Sequence, residues 1–154
     1  MTQLRHLFSI HGSMVFMKVT VLDNLRSVYN VGSIFRTANA CGVEKIFLCG
    51  TTPTPLDKKG ERRKDFAKVA LGAEDTVAWE YFGSTYDCVS KLKNEGYYIL
   101  AIEQDDTSVD YKEVNIEEKD NVAIIVGNEV DGITQDVIEI SDVTVEIPML
   151  GTKE

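Results

Sequence analysis

NVAIIVGNEVDGIT, residues 121 to 134, is the stretch on which the fold turns. Its first half is continuously apolar and rich in β-branched residues, which suits a strand buried on both faces in the middle of a parallel sheet; a half-solvated strand would alternate. Its second half changes character, with Asn128 and Glu129 set between Gly127 and Gly132. Read alone, VDGIT is a plain turn before a helix capped by Thr134. A carboxylate at the end of an apolar strand is costly, however, unless it is solvated or partnered. Open parallel sheets bind ligands in the loops that leave the carboxyl ends of their strands, so this loop is also a candidate site. Its glycines allow positive φ or close approach of a flat ligand to main-chain groups.

Working outward, apolar runs at 15–22, 45–50, 76–82, 97–103 and 143–148 read as further strands. Helix-period segments lie between them at about 31–41, 62–70, 84–94 and 134–140. Strand and helix in alternation predict an α/β fold, a mostly parallel sheet with helices on both faces. At 154 residues the chain has the length of one domain. MTQLRHLFSIHGSM fits poorly with the strand and helix pattern of the rest of the chain, so residues 1–13 read as a leader or an appended segment and 14–154 as the domain.

The first helix carries its own signals. Asn30 is a favoured N-cap, Val31, Ile34, Phe35 and Ala38 form one apolar stripe, and Gly42 suits the left-handed position after the last turn. Asn30, Ser33 and Thr37 line the polar side with Arg36 beside Ser33, where Lys and Glu are the commoner choice. Arg36 would be an obvious cationic partner for Glu129, although a lone helical arginine is more often a surface charge.

The composition excludes several classes of chemistry. Both histidines, His6 and His11, fall in the leader, so the body of the domain holds no His-dependent triad, zinc site or imidazole base. Neither glycine-rich phosphate-loop pattern is present. No metal is expected. Cys41, Cys49 and Cys88 show neither CxxC nor metal spacing and read as small core residues of a reduced, cytoplasmic protein. No apolar run approaches the roughly 20 residues that span a bilayer, so no membrane partner is expected.

Sixteen basic residues against 25 acidic ones give a net charge of -9. That disfavours indiscriminate binding to polyanions, so any polyanion partner has to be met by a local patch. The densest is DKKGERRKDFAK, 57–68, with Lys58, Lys59, Arg62, Arg63 and Lys64. The same run also reads as a solvated helix face laced with i,i+4 pairs.

Taken together, LDNLRSVYNVGSIFRTANACGVEKIFLCGTTPTP (22–55), KVALGAEDTV (68–77), IIVGNEVDGI (124–133) and VEIPMLG (145–151) resemble, in order, the motifs of the SpoU family of RNA 2'-O-ribose methyltransferases. The resemblance implies the SPOUT trefoil-knot fold, S-adenosylmethionine as cofactor, tRNA or rRNA as substrate and a homodimer whose active sites draw on both subunits. It assigns Asn30, Arg36 and Glu129 to catalysis and Ile102, Gly127, Ile147 and Met149 to the cofactor. The family's third motif continues into a Ser-Leu-Asn segment and a further helix beyond IPMLGTKE. On that ground the expectation is an incomplete knot and weak or absent cofactor binding by this 154-residue form. The competing expectations are a non-catalytic RNA-binding or dimerisation module on the same scaffold and, more remotely, an unrelated α/β enzyme binding a nucleotide in the same strand-end pocket.

Overall fold

The computed structural model describes residues 17–116, 119–149 and 151. The 1–13 leader lies outside them. Among the described residues seven strands form one sheet: β1 (Met17–Asp23), β2 (Lys45–Cys49), β3 (Ala78–Phe82), β4 (Tyr98–Ile102), β5 (Val109–Asp110), β6 (Asn121–Val126) and β7 (Val143–Glu146). Their order across the sheet is β3-β2-β1-β6-β4-β7-β5 and every pairing is parallel. β6, the strand with the continuous apolar run, is the fourth of seven.

Five α-helices among the described residues cover the two faces: α1 (Val28–Cys41), α2 (Lys64–Ala70), α3 (Ala73–Thr76), α4 (Thr85–Asn94) and α5 (Gln135–Ile140). The strands alternate their side chains between two cores, as their period of two requires. Val19, Val21, Phe47, Cys49 and Ile125 pack with Cys88, Val89, Leu92 and Val137 of α4 and α5. Leu22, Ile46 and Leu48 pack on the other side with Val31, Phe35 and Ala38 of α1 and with Phe66 and Ala70 of α2. Phe35 and Phe66 meet edge to face, centroids 5.3 Å apart. Gly32 lets α1 and α2 come this close, since a Cβ there would lie 2.9 Å from Val69 Cβ.

Two expectations need correction. The N-cap of α1 is Ser27, whose Oγ accepts from Asn30 N at 3.2 Å, so Asn30 lies inside the first turn with its side chain free of capping duty. Ser27 won because its hydroxyl reaches the third helical amide and the helix can begin a turn earlier. Cys41 is exposed, at the last position of α1 outside the apolar stripe, while Cys49 and Cys88 are core residues as expected. The short strand β5 and the four-residue α3 have too few residues to show a period. At the helix end the expectation holds: Gly42 has φ 69° and its N–H meets the carbonyls of Ala38 and Asn39.

Candidate functional site

β1 and β6 are neighbours, with Leu22 opposite Val126, so the segments beyond them emerge side by side at the carboxyl end of the sheet. One leads through Asn24–Ser27 into α1 and the other is the Gly127–Gly132 loop. The first motif and the second, about a hundred positions apart in sequence, therefore meet.

The loop is tightly built. Asn128 and Gly132 exchange both backbone hydrogen bonds, at 3.1 and 3.0 Å. Buried Asn128 donates through Nδ2 to Asn24 O at 2.7 Å and accepts through Oδ1 from Val130 N at 2.8 Å and Asp131 N at 3.1 Å. Its amide is used up by the scaffold and does not face a ligand. Gly127 likewise serves the loop, because a Cβ there would collide with the backbone of Gly132 and Ile133. Gly132 has φ 69°, and the Glu103 carboxylate lies against it while accepting from Ile133 N at 2.7 Å.

This construction presents Glu129 outward. Its Oε1 accepts from Asn30 Nδ2 at 2.6 Å, a short, charge-assisted contact. The Glu129 carboxyl is held below the usual carboxylate range: its own backbone N–H is the main cause, burial opposes it, and the Asn30 amide and then the backbone and charge of Arg26 add to the lowering. At neutral pH the group is an ionised acceptor. Arg36 is not its partner. Six positions further along α1, it lies about 9 Å up the axis and about 120° around it from Asn30. It is exposed, and among the described residues it has no hydrogen-bond or ion-pair partner. Of the rest of the polar stripe, Thr37 donates to Ser33 O at 3.2 Å.

Behind the site stands Asp23, fully buried at the end of β1. It accepts from Thr85 Oγ1 at 2.5 Å, Asn24 Nδ2 at 2.8 Å and Thr134 N at 3.1 Å, and so ties the starts of α4 and α5 to the same strand end. Sequence reading passed over Asp23 and Arg26. Only their positions, at the end of a strand and just before the cap of a helix, distinguish them.

Of the residues assigned to a cofactor, Ile102 ends β4 and lies opposite Val126 of β6 and Val145 of β7. Gly127 is one residue beyond Val126 and Ile147 two beyond Val145, so the three come from adjacent strand ends. Ile147 and Met149 are 58% and 61% exposed, unusual for large apolar side chains, and Val130 and Tyr29 beside Glu129 and Asn30 are more exposed still. Apolar surface gathered at strand ends is what a flat, partly apolar ligand or a protein partner would cover.

The basic run divides in two. Arg62 Nη2 is bonded to Glu74 Oε1 at 2.5 Å and Asp75 Oδ2 at 2.9 Å, and Arg63 forms a two-pronged pair with Asp65 at 3.1 and 2.6 Å. Lys58, Lys59 and Lys64 are exposed and without such partners among the described residues.

The described residues include no group of three His, Cys, Asp or Glu arranged to hold a metal ion and no helix long and apolar enough to cross a membrane. Known proteins share both the sequence and the fold. Residues 17–154 match the model of the SpoU rRNA Methylase family. The tRNA (guanosine(18)-2'-O)-methyltransferase of Escherichia coli K12 is 30% identical over 130 residues, 84% of this chain and 52% of that protein. The 23S rRNA (guanosine-2'-O-)-methyltransferase RlmB of Neisseria meningitidis is 32% identical over 134 residues, 87% of this chain and 50% of that protein. Among solved structures, an AdoMet-bound rRNA methyltransferase from Sinorhizobium meliloti superposes with a TM-score of 0.80 at 25% identity, covering 94% of this chain and 52% of that one. The TrmH/SpoU tRNA modifying enzyme of A. aeolicus gives 0.74 at 26% identity, covering 99% and 71%. The chain spans about half the length of the curated relatives it matches.

Proposed function

The chain belongs to the SpoU rRNA Methylase family, and from that premise we propose that it transfers the methyl group of S-adenosylmethionine to a ribose 2'-hydroxyl of tRNA or rRNA. The observation that carries this reading is the 2.6 Å contact between Asn30 and Glu129, which joins the first motif to the second at the carboxyl end of the sheet.

The residues present fit the cofactor. Ile102, Gly127, Ile147 and Met149 offer an apolar, strand-end wall for it, with Ile147 and Met149 exposed enough to cover a flat ring. When bound, S-adenosylmethionine supplies an electrophilic methyl on a sulfonium. The chain's own part is to hold the ribose oxygen in line, while the hydroxyl proton leaves to water or to the adjoining phosphate. Glu129, ionised, fixes the Asn30 amide, and that pair sets one edge of the ribose site. Arg36 is permanently protonated and makes a poor base. Its task is to grip the neighbouring phosphate and stabilise the charge developing on the oxygen, a role its unpaired guanidinium leaves open. Since Arg36 points away from Asn30 on the same helix, we assign it to the site of a second copy in a homodimer. RNA is drawn in through Lys58, Lys59 and Lys64, with Arg62 and Arg63 shaping the surface beneath them. We place the protein in the cytoplasm, in keeping with its three free cysteines.

The test is transfer of labelled methyl from S-adenosylmethionine to unmodified tRNA and rRNA transcripts by the protein expressed from its native reading frame. Label is expected in RNA and falls about a hundredfold in Glu129→Ala. RNA binding with no transfer by the unaltered protein would instead make the domain a binding module.

A further inference from the structure

Methyl transfer as proposed gives tasks to Asn30, Arg36 and Glu129 and none to Arg26. Arg26 lies in the turn between β1 and α1, four positions before Asn30. Its Nη2 stands 3.1 Å from Asp131 Oδ2, a contact across 105 positions of sequence. The Gly127–Gly132 loop is thus fastened to the start of α1 at two points, Glu129 on Asn30 and Asp131 on Arg26.

Between those points the loop transmits rather than absorbs movement. Val130 N and Asp131 N both donate to Asn128 Oδ1, and Asn128 is itself buried and bonded to Asn24 O. A displacement of Asp131 is therefore passed to Glu129 two residues away. Both side chains of the Arg26–Asp131 pair are 67% exposed, so as a stabilising contact it contributes little. Its leverage is geometric, because a carboxylate moved by an ångström loses its amide partner and the ribose site loses an edge.

We propose that Arg26 is a positioning residue for methyl transfer: by holding Asp131 it sets the place at which Glu129 meets Asn30. The proposal rests on the reading of Asn30 and Glu129 as site residues. Arg26 touches neither ribose nor cofactor in this role. The charge of Arg26 also helps keep Glu129 ionised. The other use for an exposed arginine here, gripping an RNA phosphate, makes the opposite prediction for Asp131, since freeing Arg26 from it would then tighten RNA binding.

The experiment compares Arg26→Met, Asp131→Asn, the double variant and Arg26→Lys in the protein expressed from its native reading frame. Two readouts are tracked: the NMR resonance of the Asn30 side-chain amide, with Glu129→Ala marking its unpaired position, and kcat against KM for RNA. Each single variant is expected to move the Asn30 resonance towards the unpaired position and to lower kcat about five- to tenfold, with KM within about twofold. The double variant is expected to be no worse than the poorer single, and Arg26→Lys to keep most of both signals. An unmoved Asn30 resonance, or a double variant whose loss is the product of the two singles, overturns the proposal. So does a severalfold fall in RNA KM for Asp131→Asn, which would give Arg26 to a phosphate. Should the unaltered protein transfer no methyl group, the functional reading falls by itself, and the Asn30 resonance alone decides whether Arg26 sets the geometry.

Discussion

Asn30 and Glu129 form an exposed pair, and what exposure implies for each kind of measurement differs. Glu129→Ala should change stability by no more than about 1 kcal/mol, because exposed ion and hydrogen-bond pairs contribute little. It should cut methyl transfer by about a hundredfold, the usual consequence of losing one preorganised polar contact at a reacting centre. Thermal melts and turnover of the same variant check both halves. The pH dependence has a definite sign. The Glu129 carboxyl is lowered in the folded protein, so its favourable contribution is complete above the ordinary carboxylate value, about 4.3, and is lost as pH falls through the lowered one. A carbon-13 titration of the Glu129 carboxyl should therefore inflect below that of an unpaired glutamate; an inflection above it would contradict the paired geometry. Arg36→Lys keeps the charge but loses the planar fork, and turnover should fall about tenfold, roughly 1.5 kcal/mol for one charge-assisted hydrogen bond. Near-normal turnover would remove Arg36 from a geometric role. In the sequence, Asn30 stood out as a cap and Glu129 as a misplaced charge. The caution about Glu129 was sound, since its cost at a strand end is met by Asn30, whereas Asn128 beside it proves to be scaffold.

At the level of elements, the site depends on one close approach of backbone and on the cap of α1. Gly127→Ala puts a methyl into the backbone of Gly132 and Ile133, which has no flexible side chain to give way. The loop must shift, and a loss of about 1–3 kcal/mol is expected, read as a lowered denaturation midpoint, together with loss of the Asn30–Glu129 contact. Ser27→Ala should cost about 1 kcal/mol by uncapping α1. The strands were legible because their apolar runs are long, and β6 could be put at the centre because nothing polar interrupts VAIIV. The start of α1 was not legible to the residue, because Ser27 and Asn30 are both good caps and only the fold decides which hydroxyl or amide faces a free N–H. β5 was invisible for a different reason: two residues have no period, and they pair only because β7 offers an edge, Val109 opposite Val145.

For the whole molecule, the parallel sheet brings the ends of β1, β6, β4 and β7 together, and that juxtaposition gathers scattered motifs at one candidate site. Alternation of strands and helices predicted the sheet, yet it did not predict which loops would be neighbours, since strand order is set by crossovers that leave no local mark. The same limit applied to the basic run. Its sequence showed five candidate cations but not that Arg62 would turn inward to the nearly buried Glu74. Neutralising Lys58, Lys59 and Lys64 together should lower the slope of log affinity against log salt for RNA by about two to three, at roughly 0.7–0.9 per phosphate contact. Arg62→Gln should act mainly on stability, by stranding Glu74, and leave that slope nearly unchanged. The most direct test of the central claim is where on the nucleotide the methyl group arrives. RNA labelled by this protein from S-adenosylmethionine should, after complete alkaline hydrolysis, carry its label in alkali-resistant dinucleotides, because a methylated 2'-oxygen cannot attack the adjoining phosphate. Label recovered only in mononucleotides would place the methyl group on a base and contradict the account.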